Sequence, residues 1–172
     1  MLTTVSDLAD ENFLLDLLNS TPVVEGAQRD DLATAGQGQA WLRERGQTGS
    51  PDEWRSLRST RDALQAVVRG QADGDSLAEV LAGVTYSPVW SDEGLEWVLR
   101  APSGRRAAVR AVVAWDAVRR IRPGRLRPCE NPECALFLID RSKPNNARWC
   151  SMATCGNRMK ARRHHERTRT AQ

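Results

Sequence analysis

The sequence predicts a mainly α-helical protein, with one β-hairpin in its N-terminal body and a small C-terminal module of two strands and one helix (ββα). Several segments have apolar residues at helical spacing, and one segment alternates apolar and polar residues around a turn. All four cysteines lie in the last 44 of the 172 residues. These observations predict a helical body over residues 1–122 and a separate module over residues 125–169.

The body is expected to begin with a helix that ends at the turn-forming residues 19–22. Residues 30–46 are interpreted as a short helical pair that breaks near Gly36 and Gly38. Ser50 is a candidate N-cap, followed by proline and two acidic residues, so a long helix is expected from there to about Arg69. A short helix should follow over residues 76–82.

Residues 84–99 have the alternating pattern of a β-hairpin, with its turn at residues 91–94. From Pro102 to Ile121 an almost unbroken apolar series predicts a helix that is buried on more than one side. Five tryptophans lie in the body: Trp41, Trp54, Trp90, Trp97 and Trp115. We interpret them as core residues rather than the lining of a ligand pocket, because large aromatic side chains mostly supply core area.

Charge divides the chain into two parts. Residues 1–120 hold 13 basic and 18 acidic residues, whereas residues 121–172 hold 12 basic and 4 acidic residues. A basic end on an acidic body indicates that the end meets a polyanion such as nucleic acid. The first twenty residues lack the pattern of a secretory signal, and no apolar run approaches the length of a membrane span. We therefore expect a cytoplasmic protein that is not inserted in a membrane.

The cysteines form two equal pairs, Cys129-x4-Cys134 and Cys150-x4-Cys155, with fifteen residues between the pairs. Each pair can supply two thiolates from one tight turn, and four thiolates complete the tetrahedral shell of a structural zinc ion. One structural Zn²⁺ is therefore expected. Disulfides, an iron–sulfur cluster and a catalytic zinc are the alternatives; four cysteines leave a catalytic zinc no open coordination position.

A strand is expected at residues 135–139, as the first arm of a hairpin that returns through the turn-rich residues 142–146 to Trp149. Ser151 can cap a helix that runs from about Met152 to Arg167. We expect Phe137 and Trp149 to pack against the zinc site. Gly156 is expected in a crowded place beside the metal.

This constellation resembles a known family. The residues that carry the resemblance are the Cys-x4-Cys pair, then Phe137, Asp140 and Ser142, then Arg148–Met152, and finally Cys155-Gly156-Asn157-Arg158 followed by Lys160. The pattern is similar to the CGNR zinc finger, which is named for that tetrapeptide. Upstream, residues 15–20, 31–34 and 41–44 resemble segments of the ABATE domain.

The resemblance implies a mostly helical N-terminal domain joined to a zinc finger, as in bacterial stress-induced transcription regulators. The body is interpreted either as a sensor for a small-molecule effector or as a scaffold, for instance for a homodimer. The body contains no set of nucleophile, base and acid and no glycine-rich phosphate loop, so an enzyme is not expected.

The final helix is expected to present its basic residues to double-stranded DNA. Arg158, Arg162, His165 and Arg169 are assigned to one side, Lys160, Arg163 and Arg167 to a neighbouring row, and Glu166 is taken as the only local acidic partner. Arg141, Lys143 and Arg148 are expected to add phosphate contacts. Protein recruitment by an acidic partner is the main alternative, and RNA binding is a third.

Overall fold

The computed structural model describes residues 8–170. Its five α-helices are α1 (Leu8–Leu18), α2 (Ala35–Glu44), α3 (Pro51–Val68), α4 (Arg106–Ile121) and α5 (Asn157–Thr170), with a 3₁₀ helix at Gly74–Leu81 and a π-helical turn at Met152–Gly156. Three two-stranded antiparallel sheets pair β1 (Val23–Val24) with β2 (Ala27–Gln28), β3 (Thr85–Ser91) with β4 (Gly94–Arg100), and β5 (Leu126–Pro128) with β6 (Phe137–Ile139). The predicted helix-dominated fold is confirmed. No helix among these residues is long and apolar enough to cross a membrane.

Local capping explains where α2 and α3 begin. The Ser50 side chain accepts a hydrogen bond from the Glu53 amide, and Pro51 occupies the first helical position, as predicted for α3. Thr34 and Gln37 form a reciprocal capping box at the start of α2.

The predicted helical pair broken near Gly36 and Gly38 is wrong, because both glycines lie inside the single helix α2. A Cβ at Gly38 would lie 2.0 Å from Cδ1 of Trp54. Glycine at this position therefore allows α2 to pack closely on the Trp54 side chain, and this close approach outweighs the low helix propensity of glycine.

Helix α4 is the centre of the body, as its apolar sequence predicted. It packs against α1, α3 and the 3₁₀ helix. Its buried residues are Ala107, Ala108, Val109, Ala111, Val112, Ala114 and Val118. Small side chains on several sides of α4 allow neighbouring helices to approach it closely, while leucines from α1 and α3 fill the remaining core.

The predicted hairpin is confirmed as β3 and β4, in which Ser91 pairs with Gly94 across a two-residue turn. The interpretation of all five tryptophans as core residues is wrong for two of them. Trp41 is buried and Trp54 and Trp115 pack against the core, but Trp90 and Trp97 lie on the exposed hairpin.

The cysteine region differs from the predicted ββα arrangement in two ways. The strand that pairs with β6 is β5, which precedes the first cysteine, and residues 147–149 form no strand. In addition, α5 begins at Asn157 rather than near Met152, because a π-helical turn occupies Met152–Gly156. The first cysteine pair thus lies in the connection between β5 and β6.

The cysteine region shares a core with the body. Phe137 is 1% exposed and belongs, with Ile139, to the same buried cluster as the leucines of α1 and α3. The Asn19 side chain accepts a hydrogen bond from the Phe137 amide at 2.7 Å and donates one to the Phe137 carbonyl at 3.2 Å. Arg69 lies over the Phe137 ring, 4.6 Å from its centroid. Phe137 was expected to pack against the zinc site, and this expectation is wrong.

Replacing Asn19 by Ala is expected to destabilise the whole protein by about 1–3 kcal/mol, since the Phe137 amide would lose its partner in a partly buried place. Thermal or urea unfolding would measure this change. Replacement of the exposed Asn146 by Ala is the matched control and should leave stability nearly unchanged. Equal stability of the two variants would contradict the view that the Asn19 side chain holds the cysteine region to the body.

Candidate metal centre and basic helix

The four cysteine sulfurs form a compact cluster. The Sγ atoms of Cys129, Cys134, Cys150 and Cys155 all lie within 4.8 Å of one another. Cys150 Sγ is 3.7 Å from both Cys134 Sγ and Cys155 Sγ. Four thiolates at about 2.3 Å from one tetrahedral zinc would be about 3.8 Å apart, whereas bonded disulfide sulfurs are about 2.05 Å apart. The spacing therefore fits a thiolate zinc site and excludes disulfides in this arrangement.

Two tight turns bring the sulfurs together. In the first, the Cys134 amide donates to the Asn131 carbonyl at 2.9 Å, and the Asn131 side chain accepts from the Glu133 amide. In the second, the Ser151 hydroxyl accepts from the Thr154 amide. These are the turn and cap expected from asparagine–proline and serine at those positions.

Asn131 has a further role that the sequence analysis missed. Its side chain is buried, and its amide nitrogen donates to Cys155 Sγ at 3.3 Å. The backbone amide of Cys150 similarly donates to Cys129 Sγ at 3.4 Å. Donors directed at sulfur stabilise thiolates and orient them as metal ligands. An asparagine inside the first cysteine pair was the available signal, but its turn-forming tendency concealed the second role.

Burial makes the thiolates of Cys134 and Cys150 unfavourable on their own. It raises the pKa of Cys134 to about 11, and it also raises the pKa of Cys150, where the neighbouring thiols add to the effect. Burial acts in the same sense on Cys155, but the hydrogen bonds from Asn131 and the neighbouring thiols outweigh it and lower the pKa. A divalent cation reverses this balance because a coordinating thiol is deprotonated outright. The donor set thus fits zinc.

The crowding predicted at Gly156 is confirmed. A Cβ there would lie 2.8 Å from Met152 Cε and 3.2 Å from Trp149 Cδ1. Asn157 donates to the Ala153 carbonyl at 3.2 Å, so it braces the π-helical turn that carries Cys155. Both residues support the geometry of the second cysteine pair.

A buried carboxylate organises the loop between the cysteine pairs. Asp140 accepts hydrogen bonds from the Ser142 and Ala147 amides, each at 2.8 Å, and pairs with Arg127 at 2.6 Å. Ser142, the Ala147 amide and the Arg127 charge together lower the pKa of Asp140 to about 2. Asp140 therefore stays ionised at neutral pH and holds residues 140–147 against β5.

The basic residues of α5 lie on two opposite sides of the helix. Successive α-helical residues turn by about 100°, so the first row (Arg158, Arg162, His165 and Arg169) and the second row (Lys160, Arg163 and Arg167) have centres about 160° apart. The prediction of neighbouring rows is therefore wrong. Every residue from Lys160 to Arg169 is exposed. The helix carries cationic side chains on two faces.

Four of the ten predicted contact residues have acidic partners within the chain. Arg141 pairs with Glu11 at 3.5 Å, Arg148 with Glu130 at 2.5 Å, Arg158 with Glu133 at 3.6 Å and Arg162 with Glu166 at 3.1 Å. Glu166 is thus not the only local acid. Within residues 8–170, no acidic side chain lies within ion-pair distance of the second-row residues. The same is true of Lys143, His165 and Arg169.

The arrangement defines a helical domain with an attached four-cysteine finger, and the family comparisons agree. The ABATE family model, described as "Putative stress-induced transcription regulator", matches residues 11–123, and the CGNR zinc finger model matches residues 125–168. The chain belongs to the ABATE family and carries the CGNR zinc finger, as the resemblance implied. No curated protein sequence gives a significant match.

Proposed function

We propose that the protein is a transcription regulator that binds double-stranded DNA through α5, held in place by one structural zinc ion. Cys129, Cys134, Cys150 and Cys155 would hold the ion. When bound, zinc cross-links the two cysteine turns. The match to a family of regulators and the match to a zinc finger both support this function.

The position of α5 supports this function most strongly. The helix begins two residues after Cys155, at Asn157, and then extends for 14 residues with a basic surface. Its length of about 21 Å and its exposure from Lys160 to Arg169 suit the major groove. The metal site would fix the start of α5, so its basic side chains would be oriented before DNA arrives.

The two rows of basic residues, on opposite faces of α5, suit the major groove of DNA. A helix that lies in the major groove has a DNA backbone on each side, so cations on both faces can neutralise phosphates on both strands. The second row would provide the stronger contacts, because Arg158 and Arg162 must first leave Glu133 and Glu166. Lys143 would add a contact from the loop between the cysteine pairs.

Selection of bound fragments from genomic DNA tests the function directly. Purified zinc-loaded protein is incubated with fragmented duplex DNA at fixed salt, and the recovered fragments are sequenced. We expect enrichment of a short shared sequence, and tighter binding of a duplex with that sequence than of a scrambled duplex. Recovery no greater than with the zinc-free protein would contradict DNA binding and favour recruitment of an acidic protein partner.

A further inference from the structure

The β3–β4 hairpin presents an apolar face that the rest of residues 8–170 leaves mostly exposed. The strand register places Tyr86 opposite Leu99, Pro88 opposite Trp97 and Trp90 opposite Leu95, so these six residues share one face. Four of them are strongly exposed: Trp90 at 80%, Leu95 at 58%, Trp97 at 49% and Tyr86 at 45%. None of the six carries a charge. Exposed aromatic faces of this kind mark interaction sites.

We propose that this face binds the same face of a second copy, making the protein a homodimer through its hairpins. The four most exposed side chains present on the order of 500 Å² of apolar surface per copy. Two copies would bury about twice that area, near the lower limit for a specific protein interface. Two tryptophans near the middle would supply the anchors that commonly dominate interface energy.

The charges at the two ends of the hairpin favour a second copy in antiparallel orientation. Asp92 and Glu93 form the acidic tip, while Arg106 lies near the base, beside Leu99. None of the three has an ion-pair partner within residues 8–170. A two-fold axis between the faces and perpendicular to the strands would bring each acidic tip over the basic base of the other copy. Such self-complementarity is what an isologous interface requires.

The uncharged face itself argues against DNA as its occupant. Phosphates dominate the surface of a duplex, and cations on the protein provide most of the affinity for them. The hairpin face offers none, whereas α5 offers many. Dimerisation therefore goes beyond the proposed DNA binding and does not depend on it.

Sedimentation equilibrium of the zinc-loaded full chain, without DNA, tests the proposal over a concentration series. We expect a monomer–dimer equilibrium for the wild type. Trp90→Lys should raise the dimer dissociation constant by at least about 30-fold, since it removes an anchor and buries a charge. Val89→Lys adds the same charge on the opposite face, across from Glu96, and should leave the equilibrium unchanged.

A charge exchange provides the second arm of the test. Asp92→Arg should weaken dimerisation, and the double variant Asp92→Arg/Arg106→Asp should recover it. The proposal would be overturned by a wild-type protein that stays monomeric up to about 100 μM. A Trp90→Lys variant as dimeric as the wild type would also overturn it. Because no DNA is present, these outcomes do not bear on the proposed function.

Discussion

Replacing Cys155 by Ser is expected to abolish stoichiometric zinc binding and to unfold residues 125–170. Structural zinc contributes about 10–16 kcal/mol in finger peptides, more than the net stability of an ordinary domain. Cys155 is buried and receives the Asn131 hydrogen bond, so its loss breaks the cluster at its most enclosed member. Metal analysis of the purified protein and amide hydrogen exchange would measure both effects.

The same substitution should also weaken the body. Phe137 and Ile139 lie in the common core, and the Asn19 side chain holds β6 against the end of α1. We therefore expect a lower melting temperature of the helices as well as loss of the finger. Ala153→Ser, an exposed change in the same turn, is the matched control and should retain zinc. Full zinc occupancy in the Cys155→Ser protein would refute the four-thiolate site.

Removing the second row of α5 is expected to lower duplex affinity by about two to three orders of magnitude at 0.1 M salt. The variant is Lys160→Ala/Arg163→Ala/Arg167→Ala. These side chains are exposed and have no acidic partner within ion-pair distance in residues 8–170, so folding and zinc content should be preserved. Fluorescence anisotropy with a labelled duplex would measure the loss.

Two comparison variants separate local contacts from net charge. Arg158→Ala/Arg162→Ala/Arg169→Ala removes the first row and should cost less, because two of its arginines already have acidic partners. Arg29→Ala/Arg55→Ala/Arg119→Ala removes three exposed charges from the body and should have little effect. A loss that is equal in all three variants would show that net charge alone, rather than α5, determines binding.

Patterns that depend on neighbouring residues in sequence predicted much of the structure. The cap at Ser50, the hairpin turn at residues 91–94 and the apolar series of α4 each reflect local chemistry, and each is confirmed. The four-cysteine cluster was also predictable, because paired spacing restricts how thiols can converge. Local geometry was sufficient for all four features.

Features that depend on distant residues were not predictable in the same way. The glycines of α2 looked like helix breaks because the contact of Gly38 with Trp54 crosses two helices. Trp90 and Trp97 have the composition of core residues, and only the tertiary structure shows that their hairpin stands apart from the body. The partners of Arg141 and Arg158 were missed because ion pairing at a distance leaves no pattern in sequence. The opposite rows of α5, by contrast, follow from helical phase alone.

The salt dependence of duplex binding tests the central claim most directly. Dissociation constants for the wild type and the second-row variant would be measured on one duplex from about 50 to 300 mM salt. Six phosphate contacts predict a slope of log affinity against log salt near −5 for the wild type, reduced by about 2–3 in the variant. Identical slopes for the two proteins, or an affinity that does not change with salt, would contradict DNA binding through α5.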